Sequence, residues 1–309
     1  MAALSKSAWP TRAAMCCATA APKGSFVLAR TLNKTIIILL CALIAWCAGC
    51  ARKHEFVRMD LRKLQARTQD ALAGKNGAAV VMDARSGRVL ALVNPPIAAG
   101  RSFPVGSALK PLAALAALEQ GAASPNLMLP CKGVTSLHGH DYHCWLHGGH
   151  GSLDMAQALA QSCNIYFYTL GARINGSKMS ALASRFGFGK TTGLSLSDYG
   201  IKEDSGRMPG TLTPELVSRF AAGDTPEFRA TPLQMAVFTA ALANGGRVFK
   251  PEWARTDTFT LSRKIHTGVS QAMDSSDALA VVRAGMEQCV TSPLGTCHAL
   301  ANMGYSSAG

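Results

Sequence analysis

The sequence predicts a mixed α/β fold of the α+β kind, in which an antiparallel sheet begins on the N-terminal side of a large helical region. Two β-prone runs, Ala78–Met82 and Arg88–Val93, flank the turn residues 83–87, which is a strong hairpin signal. Beyond residue 110, several segments carry apolar residues at helical spacing. With 309 residues, the chain is long enough to bury a sizeable core.

The first 50 residues predict a signal peptide or a membrane anchor. Thr35–Gly49 is an uncharged apolar run behind Arg30 and Lys34, and it is shorter than the roughly 20 residues that a spanning helix needs. The run ends in Cys47-Ala48-Gly49-Cys50, which resembles the lead-in to the lipid-modified cysteine of bacterial lipoproteins, so Cys50 is a candidate lipidation site. An uncleaved anchor is the alternative. Both interpretations tether the body to the inner membrane on its periplasmic side.

Positive charge is concentrated at the N-terminal end of the chain. The net charge is +13, yet residues 1–55 alone hold seven Lys or Arg residues and one acidic residue. The body that follows is mildly basic and has no basic run interleaved with aromatic residues. The sequence therefore gives no indication of nucleic acid binding, and we expect no nucleic-acid partner.

The other elements follow in order along the chain. Helical spacing predicts a helix over 62–74 before the hairpin, and a Pro/Gly-rich loop over 94–106 comes after it. A loop over 133–151 carries five histidines, and residues 187–214 are rich in turn residues. Further helices are predicted over 112–118, 152–173, 177–186, 231–244 and 277–290.

The segment Gly106-Ser107-Ala108-Leu109-Lys110-Pro111 opens the first apolar helix of the helical region. A serine and a lysine three residues apart lie on one helix face. In an apolar pocket the lysine pKa falls, so its neutral amine can act as a base and activate the serine hydroxyl. Both residue types are common, so a chance pair is the alternative. This is the only Ser-x-x-Lys in the chain, and the pattern predicts an acyl-serine enzyme.

A second polar group follows 55 residues after Ser107, within the helical region, as Ser162-Cys163-Asn164. A hydroxyl and a carboxamide that face Lys110 could relay protons and hold a substrate amide. We therefore predict that Ser162 and Asn164 join the Ser107/Lys110 pair in one site.

These motifs resemble the transpeptidase domain of class B penicillin-binding proteins, and most closely its elongation-type members, from Val57 to the end of the chain. Five segments match in the same order: 78–93, 106–111, 149–171, 186–196 and 230–246. The resemblance implies a penicillin-binding transpeptidase or β-lactamase-like fold. It also implies that Ser107 is the acylated nucleophile and Lys110 its base, while Ser162 and Asn164 line the pocket.

By that resemblance the protein is a peptidoglycan D,D-transpeptidase. Ser107 would attack the D-Ala–D-Ala carbonyl of a stem peptide, and the amine of a neighbouring stem peptide would resolve the acyl-enzyme. The partners implied are stem peptides, β-lactams, the membrane and cell-wall elongation proteins, with no cofactor for catalysis. The alternatives are a serine β-lactamase, a D,D-carboxypeptidase, or an inactive β-lactam-binding scaffold of the wall-synthesis machinery.

The sequence departs from this family at three motifs. Val105-Gly106 stands where the family usually has Pro-Gly. Gly223-Asp224-Thr225 stands where the family has Gly-Gln-Gly, and the third motif, Lys-Thr-Gly, is missing. His266-Thr267-Gly268 is similar to a variant of that motif but precedes the final helix. In the family, three of five sheet strands follow that helix. We therefore predict that the domain, residues 57–309, is truncated before the Lys-Thr-Gly strand and that its C-terminal strands are missing. We expect residues 57–309 alone to be poorly soluble and inert to penicillin.

Cysteines around the second motif allow two interpretations. Outside the cytoplasm, the disulfides Cys131–Cys144 and Cys289–Cys297 are a natural pairing. A structural zinc site of three thiolates and one imidazole is the alternative, and elongation-type relatives are similar in holding zinc with Asp, His and Cys from this region. The candidate zinc ligands are Cys131, Cys144, His150 and Cys163.

Overall fold

The computed structural model describes residues 58–254, 258–260, 269–271, 276–304 and 306–309. The predicted anchor over residues 1–50, the candidate lipidation site Cys50 and the triplet His266-Thr267-Gly268 lie outside the described residues. Within the ranges that are described, no helix combines the length and the apolar character that crossing a membrane requires.

Helices and strands are numbered here along the described part of the chain. The helices are α1 (Leu61–Leu72), α2 (Pro95–Ala98), α3 (Lys110–Glu119), α4 (Met155–Ala160), α5 (Asn164–Gly171), α6 (Gly176–Arg185), α7 (Pro214–Ala222), α8 (Pro232–Asn244) and α9 (Ser276–Thr291). The strands are β1 (Arg58–Asp60), β2 (Ala79–Asp83), β3 (Arg88–Val93), β4 (Phe103–Pro104), β5 (Leu129–Cys131), β6 (Val134–Leu137), β7 (His140–His143), β8 (Gly151–Leu153), β9 (Arg229–Ala230), β10 (Arg247–Phe249), β11 (Glu252–Trp253), β12 (Thr258–Thr260) and β13 (Val269–Gln271).

The predicted hairpin is confirmed and forms the centre of a small sheet. Strands β2 and β3 pair antiparallel, with an irregularity in register between Val81 and Met82. Helix α1 is fixed to this sheet because the Gln65 amide bonds both backbone groups of Leu92, at 2.9 and 3.0 Å. The sheet has a third strand that the sequence pattern did not predict, since β11 pairs parallel with β3.

The main core lies in the helical region. Helix α3 is apolar around its whole circumference, and its residues from Leu112 to Ala117 are buried. A helix that is apolar on every side must be covered on every side. Here α5, α6, α7 and α9 pack around it, which holds its first residue, Lys110, inside the protein.

Two predicted segments differ from the structure. The loop over 133–151 contains an antiparallel hairpin, β6–β7, which runs from Val134 to His143. The single helix expected over 152–173 is two helices, α4 and α5, which are separated at Ser162 and Cys163. Local capping explains the break, because the Cys163 side chain accepts from the backbone N–H of Tyr166 and so starts a new helix. Helix α7 was not predicted at all.

Candidate active site

The nucleophile motif forms a tight turn that leads directly into α3. Gly106–Leu109 is one turn of 3-10 helix, and the backbone N–H of Lys110 donates to the carbonyl of Ser107. Pro111 falls in the first turn of α3, where a missing N–H leaves no hydrogen bond unmade. The turn therefore places the side chains of Ser107 and Lys110 side by side, as the sequence predicts.

The Lys110 amine is the centre of the site. Its Nζ lies 2.6 Å from Ser107 Oγ, 3.1 Å from Ser162 Oγ and 2.9 Å from Asn164 Oδ1. An ammonium has three donors and no acceptor, so these three oxygens match its donors in number. When the amine is neutral, two N–H groups remain for Ser162 and Asn164, and the lone pair can accept the Ser107 proton. All four predicted catalytic residues are thus brought together.

Because Lys110 is buried, part of its amine is uncharged near pH 7. Lys110 is 2% exposed, and this burial lowers its pKa from 10.5 to about 8. Negative charge on the nearby Cys163 and Cys144 thiols acts in the opposite direction. A lysine with a pKa of about 8 is a competent general base for a serine hydroxyl.

Ser162 occupies a strained turn that needs outside support. Its φ is 50°, in the left-handed region that costs a residue other than glycine about 1–3 kcal/mol. The two carbonyls just before it are bonded by distant residues. Thr296 donates its backbone N–H to the Ala160 carbonyl at 3.0 Å, and the Trp145 indole donates to the Gln161 carbonyl at 3.1 Å. Trp145 and Thr296 were not predicted as site residues, because nothing in the local sequence marks these contacts.

The four candidate metal ligands also come together. Their ligand atoms all lie within 4.8 Å of one another. His150 Nδ1 is 3.4 Å from Cys144 Sγ and 3.6 Å from Cys131 Sγ, while Cys144 Sγ and Cys163 Sγ are 4.0 Å apart. The pairing of β5 with β8 sets Cys131 opposite Gly151, next to His150. Three thiols and one imidazole at this spacing fit a tetrahedral zinc site.

The surroundings of this cluster shift the pKa values of its groups in different directions. Burial lowers the pKa of His150, so the imidazole is neutral and has a lone pair to offer. Burial raises the pKa of Cys163. For Cys144, burial acts to raise the pKa, but hydrogen bonds from backbone N–H groups together have a larger effect and lower it. Gly149 has a φ of 76° and a Cβ there would lie 2.2 Å from the Cys131 carbonyl, so only glycine lets the loop close around the cluster.

Five cysteines lie in the described part of the chain, and all are free thiols. The Cys131–Cys144 and Cys289–Cys297 disulfides are therefore not formed in this structure. Cys289 Sγ instead lies 3.1 Å from Thr296 Oγ1.

Residues 77–309 match the family described as the penicillin binding protein transpeptidase domain. The chain belongs to this family. The match begins at the β2–β3 hairpin and includes the Ser107 turn, the strained Ser162 turn and the cysteine cluster, so the site described above lies entirely within the transpeptidase domain.

Curated relatives and solved structures agree with this membership. Peptidoglycan D,D-transpeptidase MrdA of Acinetobacter baumannii is 30% identical over 235 residues, which cover 62% of this chain and 34% of that protein. The chain spans between about a third and a half of the length of the curated relatives it matches. The structure of Pseudomonas aeruginosa PBP2 in complex with WCK 5153 is 27% identical, with a TM-score of 0.67 over 77% of this chain and 62% of that chain.

A further neighbour has a similar fold at lower identity. The complex between PBP2 and MreC from Helicobacter pylori has a PBP2 chain that is 23% identical to this one, with a TM-score of 0.66. The match covers 78% of this chain and 51% of that chain. These likenesses confirm the mixed α/β penicillin-binding fold that the sequence predicts.

Proposed function

We propose that this transpeptidase domain acylates its own Ser107 with a peptidoglycan stem peptide and transfers that peptide to an amine, so that the protein works as a D,D-transpeptidase in cell-wall synthesis. The observation that carries the proposal is the Lys110 amine, buried, lowered in pKa to about 8, and bonded to Ser107, Ser162 and Asn164. Among the residues that the structure describes, Lys110 is the only buried lysine.

The steps follow from this geometry. Neutral Lys110 takes the Ser107 proton as Oγ attacks the carbonyl of the penultimate D-alanine, and backbone N–H groups, including that of Ser107, stabilise the oxyanion. The C–N bond breaks, and the proton held by Lys110 passes through Ser162 to the leaving D-alanine amine. A stem-peptide amine then attacks the ester carbonyl and gives its proton to Lys110. The C–O bond to Ser107 breaks, and Lys110 returns the proton to Oγ, which regenerates the Ser107 hydroxyl.

Fluorescent penicillin labelling tests this proposal. We expect covalent labelling of a protein in which residues 57–309 are extended by a Lys-Thr-Gly strand, here named the extended protein, and no labelling of residues 57–309 alone. Ser107→Ala should abolish the label, and so should Lys110→Ala, because the hydroxyl loses its base. Ser124→Ala is the matched control, since Ser124 also begins a Ser-x-Asn triplet but lies at a turn. A label that survives Ser107→Ala would contradict the proposal.

The product of the reaction separates transpeptidation from the other acyl-serine activities. With a stem peptide and an amine acceptor, the extended protein should form an amide-linked dimer. Release of free tetrapeptide without dimer would indicate a D,D-carboxypeptidase, and rapid hydrolysis of penicillin would indicate a β-lactamase. A slow, stable penicillin adduct with no peptide product would indicate an inactive β-lactam-binding scaffold.

Zinc is proposed as a structural ion held by Cys131, Cys144, His150 and Cys163. The compact set of three sulfurs and one imidazole nitrogen supports this proposal. Since Cys163 lies between Ser162 and Asn164, an ion bound there would add rigidity to the second motif.

Metal analysis of protein prepared without chelators tests the site. Near one zinc per chain is expected, and Cys144→Ser together with His150→Ala should remove it, whereas Cys297→Ser should not. Absence of zinc together with a mass two hydrogens lower, mapped to Cys131 and Cys144, would favour the disulfide.

Tethering to the membrane and assembly with wall-elongation proteins complete the proposal. The apolar run before Cys50 supports an anchor or lipid attachment on the periplasmic side of the inner membrane. The motif resemblance to elongation-type members supports partners of the elongation machinery, and the PBP2 of Helicobacter pylori, a neighbour in fold, forms a complex with MreC. Fractionation of cells and mass analysis of the mature N-terminus test the first point, and cross-linking in cells tests the second.

A further inference from the structure

The Gly223-Asp224-Thr225 turn, which departs from the family pattern, packs directly on the nucleophile. Gly223 ends α7 with a φ of 82°. A Cβ at this position would lie 2.1 Å from the Gly106 carbonyl oxygen and 2.9 Å from the backbone nitrogen of Ser107. This peptide group carries the Ser107 N–H, which is one of the donors expected to stabilise the oxyanion. Any movement of the turn would therefore be transmitted to that donor.

Asp224 connects the turn to the rest of the site. Its carboxylate accepts from the Tyr168 hydroxyl at 3.1 Å and from Arg219 Nε at 3.4 Å. Tyr168 lies on α5, the helix that begins at Asn164. The Arg219 pair is partly exposed and contributes little to stability. The bond from Tyr168 is better protected, because that side chain is 6% exposed and its ring stacks on Tyr142 with 4.4 Å between centroids.

The Tyr168 hydroxyl is protonated and can donate its hydrogen bond to Asp224. Burial, and then the charge of Asp224, raise the pKa of Tyr168, so its hydroxyl keeps the proton over the whole physiological range. The chain Asn164–α5–Tyr168–Asp224–Gly223 thus links the second motif to the peptide group before Ser107 through one hydrogen bond between helix α5 and the turn that follows α7.

We propose that Asp224 is a positioning residue that, through Tyr168 and Gly223, fixes the Ser107 backbone N–H relative to Lys110 and Asn164. This inference rests on the proposed function, since it assigns a role in forming the acyl-enzyme. Asp224 does not contact the reacting atoms; it acts through the turn that covers them.

Hydrogen–deuterium exchange tests the link without requiring activity. In the 309-residue chain, Tyr168→Phe and Asp224→Ala should speed exchange of the amides at 106–109 severalfold and leave the β2–β3 hairpin unchanged. Asp224→Asn should restore slow exchange, because its amide oxygen still accepts from Tyr168. Tyr199→Phe, at an exposed tyrosine, is the matched control. Unchanged exchange at 106–109, or equal acceleration in the hairpin, would overturn the proposal.

Acylation of the extended protein supplies the second readout. Loss of the Tyr168–Asp224 bond should lower the acylation rate at saturating penicillin about tenfold to a hundredfold, with little change in the concentration for half-saturation. Asp224→Asn should recover most of that rate. A change in the penicillin concentration for half-saturation, with no change in the rate at saturation, would overturn the positioning role. If the wild-type extended protein is not acylated at all, the proposed function fails, while the exchange experiment still decides the structural link.

Discussion

The helical region and the small sheet differ in how completely they are packed. The helical region, residues 105–244 with α9, shares one large cluster of buried side chains. The sheet of β2, β3 and β11 packs in two much smaller clusters, one of which also contains Leu194, Leu196 and Leu233. Residues 79–82 of β2 are only partly buried. Every candidate catalytic and metal-binding side chain lies in the helical region. The comparison indicates that helix packing, more than the described sheet, sets the geometry of the site.

The largest effect expected from this comparison is on stability. Phe188 is 1% exposed and packs against Phe228 and Phe238, with ring centroids 5.1 and 5.4 Å apart. Phe188→Ala should lower the free energy of unfolding by about 3–5 kcal/mol because it leaves a cavity. Val81→Ala, at a partly buried site of β2, should cost about 1 kcal/mol or less.

Urea denaturation followed by circular dichroism measures both variants. The control is Leu294→Ala at a side chain that is 70% exposed, which should change the free energy of unfolding little. If Val81→Ala costs as much as Phe188→Ala, the sheet is better packed than its burial indicates, and the comparison fails.

A second prediction concerns the pH dependence that burial in the helical region imposes on Lys110. Because burial lowers the pKa to about 8, the amine is protonated and inactive as a base below this pH and neutral above it. The acylation rate of the extended protein should rise about tenfold per pH unit well below pH 8, more slowly near pH 8, and then level off. Between pH 6 and pH 8 the rise is about fiftyfold, equivalent to about 2.3 kcal/mol of activation free energy.

Stopped-flow acylation with a chromogenic cephalosporin gives this profile. Lys110→Arg, which keeps the charge and has no neutral form in this range, should be inactive at every pH. A wild-type profile that is flat between pH 6 and pH 9 would show that Lys110 is not the base.

The comparison also explains which features the sequence could predict. The β2–β3 hairpin and the Ser107/Lys110 pair depend on residues within one turn or one helical face, so local pattern predicts them. The break at Ser162 depends on Cys163 capping a new helix and was missed, because apolar spacing continues through it. Trp145 bonds a carbonyl 16 residues away, and Thr296 one 136 residues away. Contacts of that separation follow from packing, which no local pattern encodes.

A third prediction compares two glycines, one in each region. A Cβ at Gly171 of α5 would lie 2.6 Å from Ser218 Cα and 2.8 Å from Ala221 Cβ of α7. Gly171→Ala should therefore destabilise the protein by about 1–3 kcal/mol through overpacking. At Gly77, before β2, the nearest atom would be 3.9 Å away, so Gly77→Ala should be neutral or slightly stabilising. Thermal unfolding measures both, and a stable Gly171→Ala protein would indicate that α5 and α7 can separate.

The smallest expected effect comes from two indole hydrogen bonds. Trp145 Nε1 donates to the Gln161 carbonyl at 3.1 Å beside Ser162, and Trp253 Nε1 donates to the Ser195 carbonyl at 2.7 Å beside the sheet. Replacing either tryptophan with phenylalanine keeps an aromatic ring and removes the donor. Each variant should lose about 0.5–1.5 kcal/mol of stability, the usual net contribution of one hydrogen bond.

Only Trp145→Phe should change the acylation rate. The Gln161 carbonyl precedes the strained Ser162, whose hydroxyl bonds Lys110 Nζ at 3.1 Å. Without the indole bond, Ser162 can relax from its left-handed conformation, and we expect the acylation rate of the extended protein to fall about threefold to tenfold. This corresponds to about 0.7–1.4 kcal/mol, or part of the strain that the turn holds. Trp253→Phe should leave the rate unchanged while losing similar stability. Equal rates for the two variants would mean that the Trp145 indole bond does not hold the turn and that the backbone N–H of Thr296, which donates to the Ala160 carbonyl, is sufficient.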